Sequence, residues 1–272
     1  MEVISTVEEL KKYLKQKDEV GFVPTMGALH AGHLSLIKQS ISQNSITVVS
    51  IFVNPTQFLA GEDLDKYPSK VEADLKICEV AGVDIVFLPN VGDIYYEQEM
   101  IIKAPSIKGY ILEGSHRPTH FDGVLQVVLK LFNIVKPTNA YFGKKDAQQL
   151  YMIKQMVRDL FLDVTICECE IVRDGDGLAL SSRNIYLSPQ ERTLALALSR
   201  SLKRSAKLIS SGNRDVNEIK ELANSVLEGI DVEYFEVVSR DFRPLETIEI
   251  ENTIIVVAAN IGDTRLIDNI WI

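Results

Sequence analysis

The stretch EVGFVPTMGALHAGHLSLIKQSISQNSITVVSIFV (19–53) sets two short apolar runs, EVGFVP (19–24) and ITVVSIFV (46–53), on either side of a segment that starts a helix near Ala31. Short, largely apolar runs are the pattern of strands covered on both faces. Three more repeat it: VDIVFLP (83–89), NAYFG (139–143) and DVTICECEIV (163–172). Helix-period segments lie between them. Strands alternating with helices in this way predict an α/β fold built on a Rossmann-like, mostly parallel sheet.

The helices carry their own punctuation. One begins at Ser69, with Glu72 completing a capping box, and stops at Gly82. A second places Leu125, Val128, Leu129 and Phe132 on one face and closes before Pro137, and a third does the same with Leu150, Ile153, Val157 and Leu160. These stripes are core. After residue 172 the texture changes to RDGDGLALSSRN (173–184), polar and glycine-bearing. SPQE (188–191) then opens a long helix toward Gly212, with Ser188 as cap and Glu191 reaching back. A helix near 214–228 and the runs VEYFEVVS, TIIVVAAN and RLIDNIWI complete the chain. The prediction is a Rossmann-like domain over 1–172 and a smaller α+β domain over 173–272.

Composition narrows the functional classes. The 272 residues are 46% hydrophobic and 25% charged, enough for a sizeable core, and the formal charge of −9 argues against a general nucleic-acid binder. The first twenty residues lack the apolar core of a signal peptide, and no run approaches the roughly 18 apolar residues of a bilayer span. A cytoplasmic protein is expected. Cys78, Cys167 and Cys169 form no C-x-x-C pair and read as buried apolar residues.

In an open parallel sheet, ligands bind outside the carboxyl ends of the strands, where strand order reverses. Four polar stretches fall on that edge: TMGALHAGH (25–33), NPTQF (54–58), GKKDAQQ (143–149) and LSSRN (180–184). In the first, Gly27 permits a tight turn, the helix starting near Ala31 offers free N–H groups to an anion, and Gly32 leaves room for a flat ring. His30 and His33, half of the chain's four histidines, add donors; either alone reads as a satisfied polar residue at a helix start, but the pair with two glycines after a strand points to phosphate binding. Lys145 supplies a point charge and Asp146 an acceptor for ribose hydroxyls. Gln149 faces inward, Gln57 can both donate and accept, and LSSRN brings two hydroxyls and a guanidinium suited to polyphosphate. His116 and His120 lie in GSHRPTHFDGV (114–124), where a structural role is as reasonable as a catalytic one.

With these residues assembled, the chain resembles the pantothenate synthetases (pantoate–β-alanine ligases) of the HIGH-motif nucleotidyltransferase superfamily, nearly end to end. PTMGALHAGH (24–33), FVNPTQF (52–58), YFGKKDAQQL (141–150) and LSSRNIYLS (180–188) match that family's motifs in order. The resemblance implies that ATP, with Mg²⁺, adenylates pantoate and releases pyrophosphate, and that β-alanine then displaces AMP to give pantothenate. It places Met26, Gly27, Ala28, Leu29, His30, Ala31, Gly32 and His33 on ATP, with Gly143, Lys144, Lys145, Asp146, Val172, Leu180, Ser181, Ser182 and Arg183. It makes His33, His30 and Lys145 catalytic, with His33 the proton donor, and gives Gln57 and Gln149 to pantoate, Gln57 also to β-alanine. It further implies a homodimer and a C-terminal domain that acts as a lid. Leu180 stands where methionine is common, and Thr119 where RPGHF-type members have glycine. A nucleotidylyltransferase and a non-catalytic nucleotide sensor are the alternatives the residues leave open; the first would yield a stable nucleotide product instead of AMP.

Overall fold

The computed structural model describes residues 1–68 and 70–272. The capping box expected of Ser69 and Glu72 therefore lies outside the described residues. The chain divides into two compact units, Met1–Lys144 with Gln148–Glu170, and Lys145–Ala147 with Ile171–Ile272.

Among the described residues of the first unit, β1 (Glu2–Ile4), β2 (Val20–Thr25), β3 (Ile46–Ile51), β4 (Ile85–Phe87), β5 (Asn139–Gly143) and β6 (Thr165–Cys169) form one sheet. The order is β1-β4-β3-β2-β5-β6, and every neighbouring pair is parallel. The connecting helices are α1 (Val7–Leu14), α2 (Ala31–Gln43), α3 (Val71–Ala81), α4 (Val91–Ile94), α5 (Glu113–His116), α6 (His120–Val135) and α7 (Ala147–Asp159). The inner strands β2, β3, β4 and β5 are mostly buried, as strands covered on both faces are, while the edge strands β1 and β6 are partly exposed. On one face Val23, Val49, Val86 and Tyr141 pack with Ile37 of α2 and Cys78 of α3. On the other, Phe22, Phe132 of α6 and Phe142 meet edge to face, with ring centroids 6.4 and 6.2 Å apart.

The five predicted strands are all present, with ends trimmed by a few residues. The sixth, β1, is an addition to the sequence reading. Its three residues are too few to show a period, and its pairing to β4 spans more than eighty residues of sequence. The stripe expected on α7 also needs correcting: Leu150 and Ile153 are buried, but Leu160 lies past the end of the helix and is exposed. Met152 and Met156 fill the core in its place.

The second unit follows the predicted element order. Helix α8 (Pro189–Ser210) begins with the Ser188–Glu191 capping box, and α9 (Val216–Val226) is capped by Asp215. Strands β7 (Asp231–Ser239), β8 (Thr253–Ile261) and β9 (Thr264–Trp271) form an antiparallel sheet in that order. Leu198 and Leu202 of α8 and Ile219 of α9 pack with Ile255 and Val257 of β8 to make its core.

Candidate active site

The chain leaves β2 toward β3 and β4 on one side and returns to β5 and β6 on the other, so strand order reverses between β2 and β5. The loop after β2 and the Gly143–Lys144 step after β5 leave the sheet at this crevice, the usual ligand position in such folds. Gly27 and Ala28 both take left-handed backbone angles, φ +85° and +50°, which turns the chain tightly out of β2. At Gly27 an added Cβ would also stand 3.0 Å from Asp74 Oδ2 and 3.2 Å from Ile51.

That turn is held from below by a residue the motifs did not reveal. Asp74 of α3 is 2% exposed, and its two carboxylate oxygens accept from the Ala28 and Leu29 N–H groups, each at 2.8 Å. Charge-assisted bonds of this kind are strong, and they fix the loop against the helix behind it. A cavity of about 250 Å³ opens beside the turn, lined by Met26, Gly27, Phe52, Asp74, Leu88 and Asn90 among others.

The two histidines cap α2 reciprocally. His30 Nδ1 accepts from the Gly32 N–H at 3.1 Å, and His33 Nδ1 accepts from the His30 N–H at 3.3 Å. Some of the N–H groups expected to stand free for an anion are thus taken by the imidazoles. Because a backbone N–H can only donate, both Nδ1 atoms are acceptors, and the proton of each neutral ring sits on Nε2. The rings lie with centroids 4.1 Å apart. Structural cap and hydrogen-bond donor, weighed as rivals from sequence, are two ends of the same ring.

Gln57 closes the turn Pro55–Gln57 and is buried. Its Oε1 accepts from Asn54 Nδ2 at 3.0 Å, and its Nε2 reaches Met26 Sδ at 3.1 Å, which joins the NPTQF turn to the first loop. Its backbone carbonyl accepts from His120 Nδ1 at 2.8 Å. Burial first, and then the charge of Arg117, push the His120 ring down to about 4, so it is neutral. Its Nε2 then accepts from Arg117 Nη1 at 3.1 Å. Arg117 in turn grips Glu62 with two bonds, of 2.6 and 2.8 Å. Burial raises the Glu62 carboxyl, but hydrogen bonds and charge from Arg117 outweigh it and hold Glu62 below the usual carboxylate range.

Thr119 sits between these two anchors in the left-handed region, φ +70°. That conformation is the physical reason for glycine at this place, and it is strained for a β-branched residue. Arg117 and His120 keep their partners around it. Of the adjacent glutamines, Gln148 is the buried one and is used structurally: it accepts from the Glu113 N–H and donates to the Lys108 and Ile111 carbonyls. Gln149, given to pantoate by the motif, is half-buried on the first turn of α7.

The remaining motif residues belong to the second unit. Lys145 Nζ stands 3.6 Å from Asp146, and the Lys145 carbonyl accepts from Asn269 Nδ2 at 2.7 Å. The Leu180 N–H bonds to the Val172 carbonyl at 3.0 Å, and Ser181 Oγ caps the turn Ser182–Tyr186 by accepting from the Arg183 N–H. Asn184 ties that turn to Ala179, and Arg173 ties the preceding segment to Asp268 through paired bonds of 2.6 and 2.9 Å. LSSRN is a capped turn with a braced base.

Besides Asp74, the motifs left Asn54 and Tyr95 without a role. Asn54 was visible inside NPTQF; Tyr95 and Asp74 carry no local signal, since their partners lie some forty residues away.

Comparison with known proteins agrees with the family resemblance. Residues 2–271 match the family model described as pantoate-beta-alanine ligase. A pantothenate synthetase of Aliarcobacter butzleri is 58% identical over the full length of both chains, and one of Campylobacter curvus 53%. The crystal structure of pantothenate synthetase from Thermus thermophilus superposes with a TM-score of 0.96 at 40% identity, covering 99% of each chain. A pantoate-beta-alanine ligase from Francisella tularensis, solved with beta-gamma ATP and beta-alanine, is 37% identical, with a TM-score of 0.80 over 100% of this chain and 97% of that one. The chain belongs to the pantoate–β-alanine ligase family.

Proposed function

We propose that this protein joins pantoate to β-alanine at the expense of ATP, through a pantoyl-adenylate. A carboxylate is a poor acyl donor at neutral pH, so one of its oxygens first attacks the α-phosphorus of ATP. The bond to the β-phosphate breaks and pyrophosphate leaves. The β-alanine amine then attacks the activated carbonyl carbon, AMP departs with the former carboxylate oxygen, and an amide remains. No covalent enzyme nucleophile takes part.

Negative charge accumulates on the phosphates in the first step, and donors fixed beforehand are the effective way to stabilise it. His30 and His33 supply Nε2–H groups, with His33 the proton donor, and Lys145 supplies a full charge. Met26 to His33, Gly143 to Asp146, Val172, and Leu180 to Arg183 hold the nucleotide, the serine hydroxyls and the Arg183 fork toward its polyphosphate. Gln57 and Gln149 hold pantoate, and Gln57 also meets β-alanine. The observation that carries this reading is the reciprocal His30–His33 cap, which commits both rings to the Nε2–H form at a helix start beside the strand-order reversal.

Mg²⁺ enters with ATP. Among the described residues no three His, Cys, Asp or Glu side chains gather to form a metal cage. When bound, the ion would offset the charge of the ATP phosphates. The protein works in the cytoplasm, where ATP is made; among the described residues no helix is long and apolar enough to cross a membrane. It acts as a homodimer, as the family resemblance implies. The direct test is an assay of AMP. It is expected only when ATP, pantoate and β-alanine are all present, in equal amount to the pantothenate formed. AMP without β-alanine at full rate, or a stable nucleotide adduct as end product, overturns the proposal.

A further inference from the structure

The hydroxyl of Tyr95 is two hydrogen bonds from the Gln57 amide. Tyr95 Oη donates to Asn54 Oδ1 at 2.7 Å, and Thr56 Oγ1 lies 3.1 Å from the same oxygen and 3.0 Å from Tyr95 Oη. On its other side, Asn54 Nδ2 spans Gln57 Oε1 at 3.0 Å and the Gly123 carbonyl at 3.1 Å. A backbone carbonyl can only accept, so the Asn54 atom facing Gly123 is its NH₂ and the atom facing the two hydroxyls is its oxygen. That NH₂ requires Gln57 to turn Oε1 toward Asn54. The Gln57 NH₂ is thereby directed the other way, where Met26 Sδ, a weak acceptor, stands 3.1 Å off. Asn54 is 1% exposed, and water cannot easily substitute for either hydroxyl.

The geometry points to Tyr95 as a positioning residue that, through Asn54, fixes Gln57 as a hydrogen-bond donor toward pantoate. This rests on the proposal that Gln57 contacts pantoate. A donor at that place meets a hydroxyl or carboxylate oxygen and rejects a group that can only donate, such as an ammonium. The tyrosine ring is held independently of its hydroxyl: Lys130 Nζ lies 4.5 Å from its centroid and the Phe52 ring 6.4 Å. Tyr95→Phe therefore removes the bond and keeps the packing.

The test is steady-state kinetics on the full chain, with melting temperature checked for each variant. Tyr95→Phe is expected to raise KM for pantoate about three- to tenfold, the scale of one buried hydrogen bond, and to leave KM for ATP within about twofold. A merely structural loss would reduce the active fraction, lowering kcat with both KM values unchanged. In a Gln57→Ala background Tyr95→Phe is expected to add nothing, because it acts through the missing side chain. Thr56→Val, which removes the second hydroxyl from an exposed position, carries the same test should Tyr95→Phe fail to fold. If Gln57→Ala raises the pantoate KM and neither hydroxyl variant does, the positioning role is overturned. If Gln57→Ala itself leaves that KM unchanged, it is the Gln57 contact that falls.

Discussion

A neutral His120 is what the surroundings of Gln57 require, because its Nδ1–H donates to the Gln57 carbonyl while its Nε2 accepts from Arg117. An imidazolium would set a second donor against the guanidinium. The folded ring titrates at about 4 where an unfolded one titrates near 6.5, so between these values the unfolded chain binds the extra proton. Stability is thus fully present above about 6.5 and falls as pH drops toward 4, by on the order of 3 kcal/mol at about 1.4 kcal/mol per unit. Denaturant unfolding across this window is expected to show that slope, and His120→Gln to flatten it. An equal slope in the variant would mean that other groups carry the acid sensitivity. At this scale the sequence marked His30 and His33 by their spacing and glycine-bearing context. It left His120 between a structural and a catalytic role, because the position of its proton is set by the Gln57 carbonyl, far away in the chain.

Helix α6 does more than cover the sheet: at Gly123 it comes close enough to brace the turn that carries Gln57. A Cβ at that position would stand 2.4 Å from the Thr56 carbonyl oxygen and 2.6 Å from the Gln57 nitrogen, both backbone atoms that cannot rotate away. Gly123→Ala is expected to destabilise by about 1 to 3 kcal/mol, as overpacking does, and to raise the pantoate KM more than the ATP KM. Retained stability and unchanged pantoate KM would mean that the turn tolerates the displacement. Elements whose signal is local were legible: the apolar runs of β2, β3 and β5, and the capping box of α8. Those fixed by distant partners were not. The edge strand β1 depends on β4, the Asp74 brace on a loop 46 residues away, and the Met156 contact on how α7 rotates against its neighbours.

Over the whole molecule, the candidate residues are spread along the chain: the histidine cap and Gln57 belong to the first compact unit, Lys145 and Arg183 to the second. The motifs that named the family lay in the sequence in order, and the family match runs from residue 2 to residue 271. What sequence could not supply was the direction of each hydrogen bond, and that direction makes the two histidines donors at Nε2 and the Gln57 amide a donor at Nε2. The central claim is that pantoate is activated as an acyl-adenylate before β-alanine enters. Exchange of labelled pyrophosphate into ATP by the full chain with Mg²⁺ measures that step alone. Exchange is expected to require pantoate, to proceed without β-alanine, and to fall about a hundredfold or more in His33→Ala. Exchange that needs β-alanine, or none at all from folded protein supplied with ATP and pantoate, would contradict it.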